Sequence, residues 1–152
     1  MVKLLSQCFM LLCFFLPWCM AGECVRICAE MAQAARCCVS MRVEVWNVDA
    51  DTKNYVALTA QETETVREIL SLRLKPYAGL PCESDISWWQ ICSIQLLDAE
   101  GKVLCCVEDT DLTDEKRMAE DSDMAGLAVA LVSEPDAAYI FSVFNRAVKS
   151  VE

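Results

Sequence analysis

Met41-Arg42-Val43-Glu44-Val45-Trp46-Asn47-Val48, then Asp49-Ala50-Asp51-Thr52-Lys53-Asn54, then Tyr55-Val56-Ala57-Leu58-Thr59-Ala60 is the stretch whose reading decides the fold. Val43 and Val45 alternate with Arg42 and Glu44, the two-residue period of a strand with one dry face and one wet one. The Asp- and Asn-rich middle is a turn. Residues 55–60 resume as a second strand with Val56 and Leu58 on one face.

Downstream, Thr65-Val66-Arg67-Glu68 has capping-box spacing, in which the hydroxyl accepts an orphan amide hydrogen and the carboxylate reaches back. Val66, Ile69, Leu70 and Leu74 then form one apolar helical face, and Pro76 disfavours helical geometry at Lys75. Residues 91–97 read as a third strand with Cys92, Ile94 and Leu96 facing one way. Asp98-Ala99-Glu100-Gly101 turns the chain into a fourth strand over 102–107. Eight acids between Glu108 and Asp123 read as a solvated loop, and Leu127, Val129 and Leu131 as the last strand. The expected class is α+β, a mixed sheet of about five strands packed on one helix.

That order is the order of a β-grasp fold, and residues 41–132 resemble the ubiquitin-like family over about 92 of the 152 residues. The likeness rests on Met41-Arg42-Val43-Glu44-Val45 as opening strand, Thr65 to Leu74 as single helix, and Gly79-Leu80-Pro81, where the family has Gly-Ile-Pro. Leu112-Thr113-Asp114 resembles the family's Leu-Ser-Asp turn. Conjugated members end in a tail with two glycines, whereas Val132 here runs into Ser133-Glu134-Pro135-Asp136 and a further helix. The resemblance therefore implies a module that binds proteins without being attached to them. Gln95 or Asp98 stands at the family's main hydrophobic contact position, so its usual receptors are not implied.

Residues 1–22 begin with Lys3 and continue as an uncharged stretch of 19 over residues 4–22. A basic start, an apolar centre, Pro17 and Cys19-Met20-Ala21 match a secretory signal peptide cleaved after Ala21. The length equally suits an uncleaved membrane anchor. Either places the chain in the secretory pathway or at a membrane; the alternative is a cytoplasmic chain. Over 23–40, Cys24, Ile27, Cys28, Met31, Ala34, Ala35 and Cys38 recur at helical spacing, an amphipathic helix that packs on the domain or lies on a membrane. In 133–152, Ser133 caps a helix, Pro135 suits its first turn and Asp136 its positive end. Ala137, Ile140, Phe141, Phe144, Ala147, Val148 and Val151 share one face, which docks on the chain's own sheet or in a partner's groove.

Composition narrows function. With 55% hydrophobic and 24% charged residues, wholesale disorder is excluded. The net charge is −10, of which residues 1–40 contribute +1 and residues 41–152 the remaining −11. Such a chain repels phosphate backbones, which argues against nucleic acid; a basic protein surface is its natural complement, and solubility alone accounts for the charge equally well. The sequence has no histidine, so Cys–His and Ser–His catalysis is excluded and the commonest zinc ligand is missing. No base, nucleophile or cofactor loop is visible, so no enzyme and no cofactor are expected.

Of 11 cysteines, eight remain if Cys8, Cys13 and Cys19 leave with a signal peptide. An even count suits disulfides in an exported chain; buried thiols suit an intracellular one. Cys24, Cys28, Cys37 and Cys38 lack the paired knuckles of structural zinc sites. Asp109, Asp111, Thr113 and Glu120 have calcium-loop spacing, but Asp114 stands where the sharp turn needs glycine. The candidate partner contacts are Trp88 and Trp89, since aromatics dominate interface energetics although both equally suit the edge of the core, and Ile140, Phe141, Phe144 and Val148 of the last helix's apolar face.

Overall fold

In the computed structural model, residues 22–77, 90–120 and 128–152 are described. Trp88, Trp89, Cys82, the Gly79-Leu80-Pro81 turn, Leu127 and residues 1–21 lie outside them.

The alternation at Met41 becomes β1 (Ser40–Asn47), with Met41, Val43 and Val45 buried and the residues between them only partly so. β1 turns at Asn47–Asp51 into β2 (Thr52–Ala57). The Asn47 carboxamide accepts from Ala50 N–H at 3.0 Å, and Asp51 takes φ of 48°, a left-handed conformation that a short polar side chain tolerates. On its other side β1 pairs antiparallel with β4 (Gln90–Leu97), which pairs antiparallel with β5 (Val103–Glu108). The sheet is therefore ordered β2-β1-β4-β5. Val56, Val43, Ile94 and Val107 are cross-strand neighbours in one row on the inner face. Gly101, at φ of 80°, and the Asp98 carboxylate, accepting from Lys102 N–H at 2.7 Å, close the β4–β5 hairpin.

Three helices cover that inner face. α1 spans residues 22–37 and turns Cys24, Cys28, Met31, Ala34 and Ala35 inward. Of the two placements open to this helix, it takes the one on the domain: Cys28, Met31 and Ala35 share one core with the sheet. α2 (Ala60–Leu72) buries Val66, Ile69 and Leu70. Its capping box is Thr59 with Glu62, six residues before the box expected at Thr65. Thr59 N–H donates to the Glu62 carboxylate at 2.8 Å and Glu62 N–H to the Thr59 hydroxyl at 3.2 Å. Thr65 sits mid-helix, its hydroxyl bonded back to Gln61 O at 3.1 Å. Thr-x-x-Glu occurs twice in this stretch, and the copy directly after β2 is where the four orphan amides arise.

Over residues 109–120 the acidic stretch after β5 is more ordered than a solvated loop. It contains β6 (Leu112–Thr113) and α3 (Glu115–Glu120), and the Asp114 carboxylate caps α3 by accepting from Lys116 and Arg117 N–H. β3 (Lys75–Pro76), β7 (Ala130–Leu131) and β6 form a second sheet ordered β3-β7-β6, with β7 antiparallel to β3 and parallel to β6. Pro76, which has no amide hydrogen to give, occupies an edge strand as it must. The class is α+β. The expected single mixed sheet is not formed: the four-stranded sheet is wholly antiparallel, and the parallel pair belongs to the small sheet.

α4 (Glu134–Val151) closes the inner face. Asp136 N–H donates to the Ser133 hydroxyl, which donates in turn to the Asp136 carboxylate at 2.7 Å. The helix crosses β1 and β2 beside α2 and buries Ala137, Ile140, Val143, Phe144 and Ala147 in the common core. Arg146 donates to Glu62 at 2.7 and 3.0 Å, so one carboxylate both caps α2 and ties it to α4. Among the described residues no helix is long and apolar enough to cross a membrane.

Candidate functional site

Where α4 passes the end of the sheet, a hollow of about 460 Å³ stays open, lined by Cys92, Asp109, Arg117, Phe141, Phe144, Asn145 and Val148. Cys92 comes from the inner face of β4. Asp109 is the first residue after β5 and is held by its own N–H donating to Cys92 O at 3.1 Å. The turn continues through Asp111, whose carboxylate accepts from Glu108 N–H at 2.8 Å. Asp114 then starts α3 and swings Arg117 over α4, with the guanidinium carbon 4.2 Å from the Phe141 ring centre. A cation over an aromatic face is attracted by the ring quadrupole. Phe141 and Phe144 meet at 6.4 Å between ring centres, tilted by 37°.

The chemistry of the lining is that of holding rather than reacting. Burial, with the Asp109 charge adding to it, pushes the Cys92 thiol up to about 11. A thiol protonated at neutral pH is a poor nucleophile. Burial likewise raises the Asp109 carboxyl, against the pull of Arg117. Cys92, Phe141, Phe144 and Val148 share the lining with Asp109, Arg117 and Asn145, so the hollow offers polar and apolar contacts side by side.

Of the six candidate contacts read from sequence, this hollow gathers three: Phe141, Phe144 and Val148. Ile140 is 0% exposed and Phe144 4%; both are spent on the core, so neither can serve as a docking anchor while α4 stays in place. Phe141 and Val148 are half-buried at the edge of the core. Trp88 and Trp89 lie outside the described residues. Arg117 went unnoticed because it sat inside a run of acids, and Asp109 was weighed only for its calcium-loop spacing and not for this hollow. The signal that could have found Arg117 is Asp114 followed by the helix formers Glu115, Lys116, Arg117 and Met118.

Two other surfaces carry less. A hollow of about 710 Å³ runs between the end of α2, β7 and the start of α4, but its Arg73 is already paired with Glu68 and with the buried Asp136. On the outer face of the sheet, Lys53 donates to Glu44, Gln95 to Glu44 and Arg42 to Gln95, at 2.8–3.0 Å. Arg42 lies 4.3 Å from the Tyr55 ring centre and Lys53 5.2 Å from that of Trp46. These polar groups satisfy one another and leave little for a partner. Trp46 Nε1 is the exception, buried without an acceptor among the described residues.

Cys24, Cys28, Cys37, Cys38, Cys92, Cys105 and Cys106 are free thiols. Among the described residues no cluster of three or more potential ligands is placed to hold a metal ion. Thr113 is buried in β6 and Glu120 ends α3, so the calcium-loop spacing does not form a loop. Comparison with known protein families, with curated proteins and with solved structures returns no match.

Proposed function

We propose that this chain is a non-enzymatic protein-binding module that takes a side chain of its partner into the hollow between α3 and α4. The observation that carries the proposal is the half-buried pair Phe141 and Val148, held open beside Arg117 and Asn145 instead of closed into the core. Full burial of a large apolar side chain is worth about 1.5–3 kcal/mol, an upper bound for a hollow whose lining is partly polar. Arg117 and Asn145 can donate hydrogen bonds to an acceptor next to it. The protonated Cys92 thiol and the absence of histidine speak for binding over catalysis. A net charge of −10 favours a partner with a basic rim, through faster encounter more than through final affinity.

The ubiquitin-like reading belongs with this proposal. It is supported by the order of β1, β2, α2, β4 and β5, and it rests on that order and not on strand pairing. The chain after β7 enters α4, which speaks for a module that is not conjugated to targets.

Photo-crosslinking tests the reading. A photoreactive phenylalanine at Val148 of the full chain should give one saturable adduct in an extract of the source cells, competed by unlabelled chain. Phe141→Asp should remove the adduct while leaving the far-UV circular dichroism unchanged. An adduct indifferent to Phe141→Asp, or none above that from a label at exposed Glu115, refutes the site.

A further inference from the structure

The main sheet has two outer strands, and they are not alike. β2 reads TKNYVA, with Lys53 and Asn54 exposed along it. A lysine on an outer strand is a common guard against pairing with another chain. β5 reads VLCCVE and has no charge and no proline from Val103 to Val107. Val103 and Leu104, 36% and 42% exposed, stand out at its start.

Backbone accounting locates the open part of β5. Asp109 N–H points to β4, donating to Cys92 O. Alternation along an antiparallel strand then turns the backbone groups of Val107 toward β4 and those of Cys106 and Glu108 away from it. Glu108 is capped: its N–H donates to the Asp111 carboxylate and its C=O accepts from Asp111 N–H at 3.1 Å. Among the described residues, Cys106 has only a weak bond from the Cys105 thiol to its carbonyl, at 3.5 Å. The ladder slips between Leu96 and Leu97, and the opposing 103–105 stretch has no other strand beside it among the described residues. Next to this edge runs a groove of about 390 Å³, lined by Glu30, Gln33, Ala34, Cys37, Leu104 and Cys105.

We propose that this edge is a self-association surface, on which a second copy of the chain lays its own β5 antiparallel to the first. Charge selects the occupant. Lys102 precedes the strand, and Glu108 ends it with Asp109 behind. Antiparallel pairing brings Lys102 of each copy to the Glu108 end of the other, twice by symmetry; parallel pairing sets like charges together. A two-fold contact needs a self-complementary patch, and a strand with a base before it and acids at its end is one. Leu104 of the second copy enters the groove beside α1 and covers apolar surface left open among the described residues. Two chains of net charge −10 repel at long range, which makes the dimer dependent on concentration and on the local pairing.

Sedimentation velocity of the full chain in reducing buffer, from micromolar to near-millimolar concentration, tests this. The wild type should pass from monomer to dimer. Lys102→Glu or Glu108→Lys alone should weaken the dimer about tenfold, since each makes two symmetry-related contacts repulsive. The double variant should restore it. Leu104→Lys, at an exposed position, should abolish the dimer with the circular dichroism unchanged. A wild type that stays monomeric throughout overturns the proposal. So does a dimer indifferent to both single charge reversals, or one that the double variant fails to restore.

Discussion

Ile140→Ala tests whether α4 is part of the core or a detachable recognition helix. Ile140 is 0% exposed and belongs to the cluster that holds Val43, Val66 and Ile94. Alanine removes three carbons from a site that cannot refill with water. At about 0.8 kcal/mol per buried methylene the transfer loss alone is about 2.4 kcal/mol. The cavity left by partial relaxation brings the expected cost to about 3–4 kcal/mol, inside the usual range for such truncations. With a urea dependence of about 2 kcal/mol per molar, the unfolding midpoint should fall by about 1.5–2 M. Tryptophan fluorescence and far-UV circular dichroism should follow the same transition. Ser142→Ala, on the exposed side of the same helix, should stay within about 0.5 kcal/mol of wild type. If Ile140→Ala is as mild as Ser142→Ala, α4 does not dock as described, and the reasoning about Phe141 and Val148 falls with it.

Thr59→Ala should cost about 1 kcal/mol by removing the α2 cap, and Glu62→Ala more, because it also releases Arg146; Thr65→Ala should cost much less, and equal effects at Thr59 and Thr65 in urea melts would contradict the observed helix start. Thiol labelling should be fast at exposed Cys37 and Cys106 and slow at Cys92 until denaturant is added; mass spectrometry of trapped peptides reads this directly. Cys92 and Cys105 have folded-state values raised from 9.0 to about 11, so the unfolded chain releases its protons first. Stability should therefore decline as pH climbs from about 9 through 11, and Cys92→Val should flatten that decline; an unchanged slope would remove burial as its cause.

The parts of this fold that show in the sequence are those whose burial is one-sided. Cys24, Cys28, Met31 and Ala35, like Ala137, Ile140, Phe144 and Ala147, recur at the helical period because only one face of each helix is dry. Val43 and Val45 show the strand period for the same reason. Alternation states which face is buried and not which strand lies alongside, and so the neighbour of β1 could not be read. The start of α2 was ambiguous between two copies of one cap motif, and only the position of β2 decides between Thr59 and Thr65. The hollow drew its lining from β4, the β5–β6 turn, α3 and α4. Cys92, Asp109, Arg117 and Asn145 meet without any sequence spacing to announce them, and α3 was masked by the acids around it.

Because α4 follows every strand, its place across β1 has a bearing on biosynthesis. While the ribosome is still adding residues beyond β7, the row of Val56, Val43, Ile94 and Val107 has nothing from α4 over it. Only when Ile140 and Phe144 have left the exit tunnel can the part of the nascent sheet under α4 be shut off from water.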